Sequence, residues 1–115
     1  MDTKAVLDHH LAAFSAGDPD ALLEDYTDDS VLILPDATVK GREALHATMT
    51  GLCTGLFKPG TYDFTMDVVK VEGDVAYIVW HASCASADVV MATDTFVVRD
   101  GKIATQTFAA RIEPK

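Results

Sequence analysis

Apolar residues in the first part of the chain recur at the spacing of a helix. Between Thr3 and Ala16 they form one stripe at intervals of three and four residues, made of Val6, Leu7, His10, Leu11 and Phe14. Gly17 follows the stripe, and glycine is typical just after a helix end. The pattern therefore predicts a first helix over residues 3–16 with one face buried.

Two more helices are predicted before the middle of the chain. Asp18 followed by Pro19 is typical of a helix start, and this short second helix should end near Thr27. A third amphipathic stretch covers Arg42–Phe57. Between these helices Ser30–Leu34 is a short run of apolar residues ended by a proline, which predicts a buried strand.

The chain from Thr61 onward has the pattern of strands. Apolar residues alternate from Tyr62 to Val68, and the alternation then changes parity, which indicates a β-bulge. Asp100–Gly101 is a strong signal for a tight hairpin turn. Three helices followed by an antiparallel meander predict one α+β domain over residues 1–115. The helices should pack on one face of a strongly curved, mainly antiparallel sheet, which gives a cone-shaped fold.

The long hairpin over residues 75–98 brings two chemically useful side chains together if its loop is Ala87–Asp88. Ser86 then pairs with Val89, and His81 lies directly opposite Asp94. Facing residues of an antiparallel pair have Cβ atoms about 4.5–5.5 Å apart. The pattern thus predicts an imidazole beside a carboxylate among apolar neighbours. A four-residue loop would keep this register, and a three-residue loop would break it.

Both faces of the first strand of this hairpin are apolar, although a one-sided antiparallel sheet should alternate apolar with polar residues. We expect the chain's own helices to cover the face that carries Val79 and His81. The other face should be covered by a second copy of the protein. This predicts a homodimer through the outer sheet face, with contacts from Ile78, Trp80 and Cys84.

Composition excludes several classes of partner. The net charge is −9 and the sequence pI is about 4.6, which argues against nucleic acid and anionic membranes. The chain has neither a transmembrane run nor the pattern of a signal peptide. Cys53 and Cys84 lack metal-ligand spacing and look like core residues of a reduced, cytoplasmic protein. His9 and His10 are adjacent on a helix and point to different faces, so we expect no metal site.

The order of elements resembles the cone-shaped fold of the nuclear transport factor 2 superfamily, in particular its SnoaL-like and ketosteroid isomerase-like members. The resemblance covers nearly the whole chain. Its best local matches are His10–Asp20, Tyr26–Pro35, Gly41–Leu45 and Thr93–Gly101. The enzymes of this superfamily include ketosteroid isomerases, scytalone dehydratase and SnoaL-type polyketide cyclases. Such matches specify a fold better than a chemistry.

The resemblance can be carried to individual residues. The late-strand aspartic acid of ketosteroid isomerases matches Asp94, and their helix-one tyrosine matches His10. Their proton-shuttling aspartate matches Leu34, which cannot carry a proton, so we do not expect steroid isomerisation. In SnoaL-type cyclases a late-strand aspartate is the acid and base, without metal or organic cofactor. The resemblance therefore implies catalysis by Asp94 with His81, and no cofactor.

These observations predict a hydrophobic, cone-shaped pocket the size of a small bicyclic molecule. The polar groups in it should be His81, Asp94, His10 and Gln106, and the apolar walls should come from Phe14, Tyr26, Leu34, Met49, Val79 and Phe108. We expect a cofactor-independent isomerase, cyclase or dehydratase that moves a proton next to the carbonyl of a small apolar or aromatic compound. The alternative is a non-catalytic binding or dimerisation module in which the histidine and the aspartate form a structural pair.

Overall fold

Three helices pack on one face of a single six-stranded sheet. A computed structural model describes residues 1–115. The helices are α1 (Thr3–Ser15), α2 (Pro19–Leu23) and α3 (Arg42–Thr54). The strands are β1 (Tyr26–Ile33), β2 (Thr38–Lys40), β3 (Tyr62–Glu72), β4 (Val75–Cys84), β5 (Ala87–Arg99) and β6 (Lys102–Pro114).

The sheet has the strand order β2-β1-β6-β5-β4-β3. Every neighbouring pair is antiparallel except β1 and β6, which run parallel. The predicted α+β class, with helices on one face of a curved and mainly antiparallel sheet, is confirmed. None of the three helices has the length and apolarity needed to cross a membrane.

Local sequence signals account for the helix ends. The Asp18 carboxylate accepts a hydrogen bond from the backbone N–H of Ala21 at 3.1 Å, as a helix-capping residue should. α2 ends at Leu23, four residues before the predicted end, because Tyr26 already belongs to β1. α3 ends at Thr54 rather than at the predicted Phe57, since the following glycine leaves the helical conformation.

The core lies between the helices and the inner face of the sheet. It joins buried residues of α1, α2 and α3 to the inward-facing residues of β4, β5 and β6, including Leu7, Leu22, Leu45, Ala76, Ile78, Phe96 and Ile103. Burial of this apolar surface is the main favourable contribution to folding. Both cysteines are free and buried within this core, while the reduced cytoplasmic environment stays a prediction.

A bulge is present in the first long strand, as predicted, but it lies at Asp67, just before the predicted change of parity after Val68. The register between β3 and β4 shifts between Met66 and Val68, which leaves Asp67 without a partner residue. A bulge of this kind bends the strand and increases its twist. It therefore contributes to the curvature that opens a cavity on the inner face.

The predicted register of the central hairpin is wrong. The turn between β4 and β5 consists of residues 85–86, not 87–88, and Ser83 pairs with Asp88. A further shift occurs beyond Val89, so that Asp94 lies opposite Ile78 and not opposite His81. The difference is three residues. Because side chains alternate along a strand, an odd shift exchanges the two faces.

Because the faces are exchanged, the predicted dimer contacts and two of the predicted pocket residues are wrong. Ile78, Trp80 and Cys84 are buried on the inner face, so they cannot form an outer interface. Val79 and His81 lie on the outer face instead. Association of two copies through this face stays a prediction, and its contacts would come from outward residues such as Tyr77.

Candidate functional site

A cavity of about 170 Å³ lies between α1, α3 and the inner face of the sheet. Its lining is mostly apolar, and the four polar side chains in it are His10, Thr48, Asp94 and Gln106. The apolar lining consists of Leu11, Phe14, Leu32, Leu34, Met49, Leu52, Phe57, Phe64, Ile78, Trp80 and Phe108. An apolar pocket with a few convergent polar groups is the usual form of a small-molecule site.

Asp94 is held by donors from the strands on both sides of it. The indole N–H of Trp80 on β4 donates to Asp94 Oδ2 at 2.8 Å. The amide Nε2 of Gln106 on β6 donates to Asp94 Oδ1 at 3.0 Å. The hydroxyl of Tyr26 on β1 donates in turn to Gln106 Oε1. Four strands thus contribute one connected network, which fixes the position of the carboxylate.

Burial changes the acidity of this carboxylate. Asp94 is 6% exposed. Burial raises its pKa to about 6, and the hydrogen bonds from Trp80 and Gln106 act in the opposite direction. Burial also raises the pKa of Tyr26 well above its usual range, so its phenol remains a neutral donor. Asp94 therefore titrates near neutral pH while its surroundings do not change charge.

His10 of α1 is the second buried titratable group of the cavity, and it is 5% exposed. Its ring packs edge-on against Phe96, with 5.0 Å between ring centroids, and Tyr26 and Phe14 flank it. Burial lowers its pKa to about 4, assisted by the neighbouring His9. The Nδ1 atom is sealed from solvent and has no hydrogen-bond partner. His10 is thus a neutral imidazole without a partner in the protein.

Aromatic rings form one wall of the cavity around Trp80. The ring centroids of Phe64, Phe57 and Phe108 lie 5.1, 5.7 and 6.2 Å from that of the indole. Phe64 is 39% exposed and stands at the mouth, whereas Asp94 is almost fully buried. The cavity is therefore open to solvent at Phe64, while its carboxylate is buried.

The structure brings together seven of the ten residues that the sequence predicts for the site: His10, Phe14, Leu34, Met49, Asp94, Gln106 and Phe108. Their functional roles stay predictions. Tyr26 does not line the cavity and lies behind Gln106, to which it donates. Val79 and His81 face the opposite side of the sheet. His81 Nδ1 lies 2.7 Å from Asp67 Oδ2 there.

Trp80 is the main site residue that the sequence prediction places wrongly. It was expected at a dimer interface, but it holds Asp94 and forms part of the cavity wall. The error follows directly from the hairpin register. A turn at residues 85–86 alone would pair Asp94 with Tyr77, and the further shift beyond Val89 is what places Trp80 and Asp94 on the same face. Phe57 and Phe64, which the prediction omits, close the same wall.

Away from Asp94 and His10, each remaining histidine is bonded to an aspartate. The nitrogen–oxygen distances are 2.7 Å for His9–Asp25, 2.9 Å for His46–Asp20 and 2.7 Å for His81–Asp67. No group of three or more histidine, cysteine, aspartate or glutamate side chains could hold a metal ion. The unpaired histidine and the buried aspartate of the cavity therefore stand apart from these pairs.

Comparison with solved structures identifies many proteins with this architecture. A protein of Sinorhizobium meliloti, provisionally described as a polyketide cyclase, is 23% identical with a TM-score of 0.77 over 91% of this chain and 94% of its own. A Kribbella flavida protein, provisionally described as a ketosteroid isomerase, is 14% identical with a TM-score of 0.78 over 95% and 77% of the two chains. A de novo designed protein with a curved β-sheet reaches a TM-score of 0.78 at 16% identity, over 95% and 84%.

At these identities the likeness shows the fold and not the reaction, as the designed protein illustrates. A comparison with curated protein sequences gives no significant match. The sequence profile of the SnoaL-like domain, in contrast, matches residues 7–106, which include Asp94 and its partners Trp80 and Gln106. The chain therefore belongs to the SnoaL-like domain family.

Proposed function

We propose that this protein binds a small apolar carbonyl compound and moves a proton at a carbon next to the carbonyl, with Asp94 as acid and base. One observation carries the proposal: the only carboxylate of a nearly apolar cavity is buried, and its pKa is raised to about 6. General bases work best when their pKa lies near the operating pH. The reaction would be an isomerisation, cyclisation or dehydration.

The proposed step needs no group that the chain lacks. An Asp94 oxygen takes the proton from the carbon, and the electron pair of the C–H bond forms the double bond of an enolate. The carbonyl oxygen receives the negative charge. In an isomerisation Asp94 then returns the proton to another carbon. In a dehydration it gives the proton to the leaving hydroxyl, which departs as water, and in a cyclisation the enolate carbon attacks a second carbonyl, whose oxygen takes the proton. Each carboxylate oxygen accepts one hydrogen bond from the protein and keeps a further lone pair for the substrate proton.

Steroid isomerisation is not part of the proposal. Leu34 lines the cavity at the position where the resemblance to ketosteroid isomerases implies a proton-shuttling aspartate. Asp94 would have to perform both transfers. The descriptions of the Sinorhizobium and Kribbella proteins agree with chemistry next to a carbonyl, but they concern those proteins.

Deuterium exchange tests the proposal without knowledge of the natural substrate. The α-hydrogens of 2-tetralone, a two-ring ketone, would be followed by proton NMR in D2O at pD 7.5. We expect the wild-type protein to accelerate exchange beyond the buffer rate. Asp94→Asn should remove at least about 10²-fold of that acceleration, the lower end of general acid–base effects. His81→Gln, on the outer face, is the matched control and should exchange as the wild type.

A non-catalytic binding module is the second candidate, and a specific observation favours it. Both oxygens of Asp94 already have a donor within the protein, so the network is satisfied without a ligand. In that case the cavity binds 2-tetralone but no variant changes its exchange rate. Wild-type exchange equal to buffer, together with measurable binding, would establish this alternative.

A further inference from the structure

We propose that the cavity is also a binding site for a small organic cation, an arylalkylammonium ion with one ring and a short amine-bearing chain, whose ammonium group pairs with Asp94. The inference goes beyond the proposed function, because a cation is a different class of ligand from an uncharged carbonyl compound and its binding involves no reaction. Three observations carry it: a buried carboxylate without a cation, the aromatic rings beside that carboxylate, and the size of the cavity.

Asp94 is a buried carboxylate that has no positive partner. Its two hydrogen bonds come from the uncharged donors Trp80 and Gln106, at 2.8 and 3.0 Å. The lining contains no lysine and no arginine, and its residues from α3, β3 and β4 carry no titratable group. His10 of α1 lines the cavity and Tyr26 of β1 bonds Gln106, but burial lowers the pKa of the first to about 4 and raises that of the second, so both are neutral at pH 7. Buried charges in proteins are normally paired, so a ligand can supply the cation that this site lacks.

Aromatic rings stand beside the carboxylate. Phe108 lies directly opposite Asp94 in the pairing of β5 with β6, which places their Cβ atoms about 4.5–5.5 Å apart on one face. An ammonium group that bonds Asp94 Oδ2 at about 2.7–2.9 Å also lies within about 6 Å of the Trp80 indole nitrogen, which bonds the same oxygen at 2.8 Å. Phe57 and Phe64 pack against that indole and extend the wall. Aromatic rings within about 6 Å attract cations, so carboxylate and rings together match an organic ammonium group.

The size and charge of the site limit the rest of the ligand. The cavity volume of about 170 Å³ is close to the ~150 Å³ of an apolar cavity that takes benzene. A single ring with a short chain therefore fits, and the largely apolar lining favours an apolar ring. The net charge of −9 raises the local concentration of cations and disfavours anions.

Three probes with one ring each separate these features: 2-phenylethylammonium, the uncharged 2-phenylethanol, and the anion 3-phenylpropanoate. Trp80 is the only tryptophan of the chain and lines the cavity, so its fluorescence reports binding directly. At pH 8 we expect the ammonium ion to bind about tenfold or more tightly than the alcohol, the worth of a hydrogen bond between charged groups. The anion should bind most weakly. Binding of the alcohol as tight as that of the ammonium ion would overturn the inference.

The pH dependence of binding tests the role of Asp94 without any variant. An alkylammonium ion, whose pKa is about 10, keeps its charge from pH 8 to pH 5. Asp94, whose pKa is about 6, becomes about nine-tenths protonated over the same range. The affinity for 2-phenylethylammonium should therefore fall about tenfold between pH 8 and pH 5, while that for 2-phenylethanol stays within about twofold. Equal affinity for the ammonium ion at both pH values would contradict the pairing.

Variants locate the binding group. Asp94→Asn should bind 2-phenylethanol as the wild type does, which shows an intact cavity, and lose the preference for the ammonium ion. Asp67→Asn is the matched control, because it removes one carboxylate from the outer face, where Asp67 bonds His81, and it should keep the preference. Phe108→Leu should reduce the preference about twofold to fivefold, the usual worth of one ring beside a cation. A full preference in Asp94→Asn would refute the inference, and a full preference in Phe108→Leu would refute the part assigned to the rings.

The inference and the proposed function can fail separately. Because both ligands occupy one cavity, 2-phenylethylammonium should displace 2-tetralone and slow any protein-catalysed exchange of deuterium. Binding of the ammonium ion by a protein that exchanges no deuterium would support the inference and refute the proposed proton transfer. Exchange by a protein that does not bind the ammonium ion would refute the inference and leave the proposed function standing.

Discussion

The molecule has one histidine and one aspartate bonded to each other on the outer side of its sheet, and another histidine and aspartate that line the cavity on the inner side. On the outer face His81 and Asp67 bind each other at 2.7 Å, and their side chains are 48% and 41% exposed. On the inner side His10 and Asp94 are 5% and 6% exposed. Asp94 accepts a hydrogen bond from Trp80, and His10 Nδ1 has no hydrogen-bond partner. Water screens the outer pair, while burial moves the inner pKa values to about 4 and 6.

The comparison teaches that environment, and not residue type, produces a candidate for catalysis. An exposed ion pair contributes little because water and salt weaken the attraction. A buried group must either find a partner or shift its pKa toward the uncharged form. Asp94 has hydrogen-bond donors and also a raised pKa, so it can still ionise near neutral pH.

The largest expected effect lies in how stability depends on pH. The pKa of folded Asp94 is about 6, against an ordinary value of 3.8. Its contribution to the stability of the folded state is therefore complete below pH 3.8 and is lost as the pH rises to 6. The pKa of folded His10 is about 4, against an ordinary value of 6.5. Its contribution to the stability of the folded state is therefore complete above pH 6.5 and is lost as the pH falls to 4. Between pH 4 and 6 the two trends oppose each other.

Removing either group should therefore expose the trend of the other. Relative to wild type, Asp94→Asn should gain about 3 kcal/mol of unfolding free energy from pH 4 to 6.5, at about 1.36 kcal/mol per pKa unit. His10→Phe should lose a similar amount over the same range. Urea unfolding at several pH values measures both. The bonded His9 and Asp25, whose pKa values are both raised, are common to all three proteins and cancel in these differences. Parallel pH profiles would contradict the account.

A smaller effect is expected when the donor to Asp94 is removed while its ring is kept. Trp80→Phe deletes the indole N–H that bonds Asp94 Oδ2. The pKa of Asp94 should rise, because a hydrogen bond that favours the ionised form is lost. Stability at pH 7 should fall by about 1–3 kcal/mol, the usual cost of an unsatisfied buried group. Carboxyl carbon NMR and urea unfolding report the two quantities. Tyr77→Phe on the outer face should change neither, and an unaltered pKa in Trp80→Phe would show that the bond has no electrostatic role.

The smallest effect is expected on the outer face. His81→Gln and Asp67→Asn each break the exposed pair, and each should change stability by less than about 1 kcal/mol. Thermal unfolding at pH 6 in low and high salt measures this, and the difference from wild type should shrink as salt rises. A loss as large as that of Trp80→Phe would mean that the two faces of the sheet are not as different as described.

Much of the fold could be predicted because its signals are local. The cap at Asp18, the helical stripe around His10 and the change of parity in β3 each depend on a few neighbouring residues. Asp94 could be assigned through the resemblance of Thr93–Gly101 to one superfamily. The structure adds that this residue lies in a cavity.

The hairpin register could not be predicted in the same way. Residues 85–88 offer two possible two-residue turns, and the alternation of apolar residues does not discriminate between them because both keep each side chain on the same face. The shift near Val89 adds a second change that no sequence signal announces. The change of turn alone keeps the faces, because it shifts the register by an even number of residues. The shift near Val89 makes the difference odd, and the bond of Trp80 to Asp94 and the exclusion of His81 from the cavity depend on it.

The most direct test of the central claim is the pH profile of 2-tetralone exchange between pH 4 and 9. If Asp94 is the base, the protein-catalysed rate should rise with pH, with a midpoint near 6, and level off above it. Asp94→Asn should remove this rise and His81→Gln should not. A protein-catalysed rate with no midpoint in this range, or the same profile in Asp94→Asn, would show that the buried carboxylate does not transfer the proton.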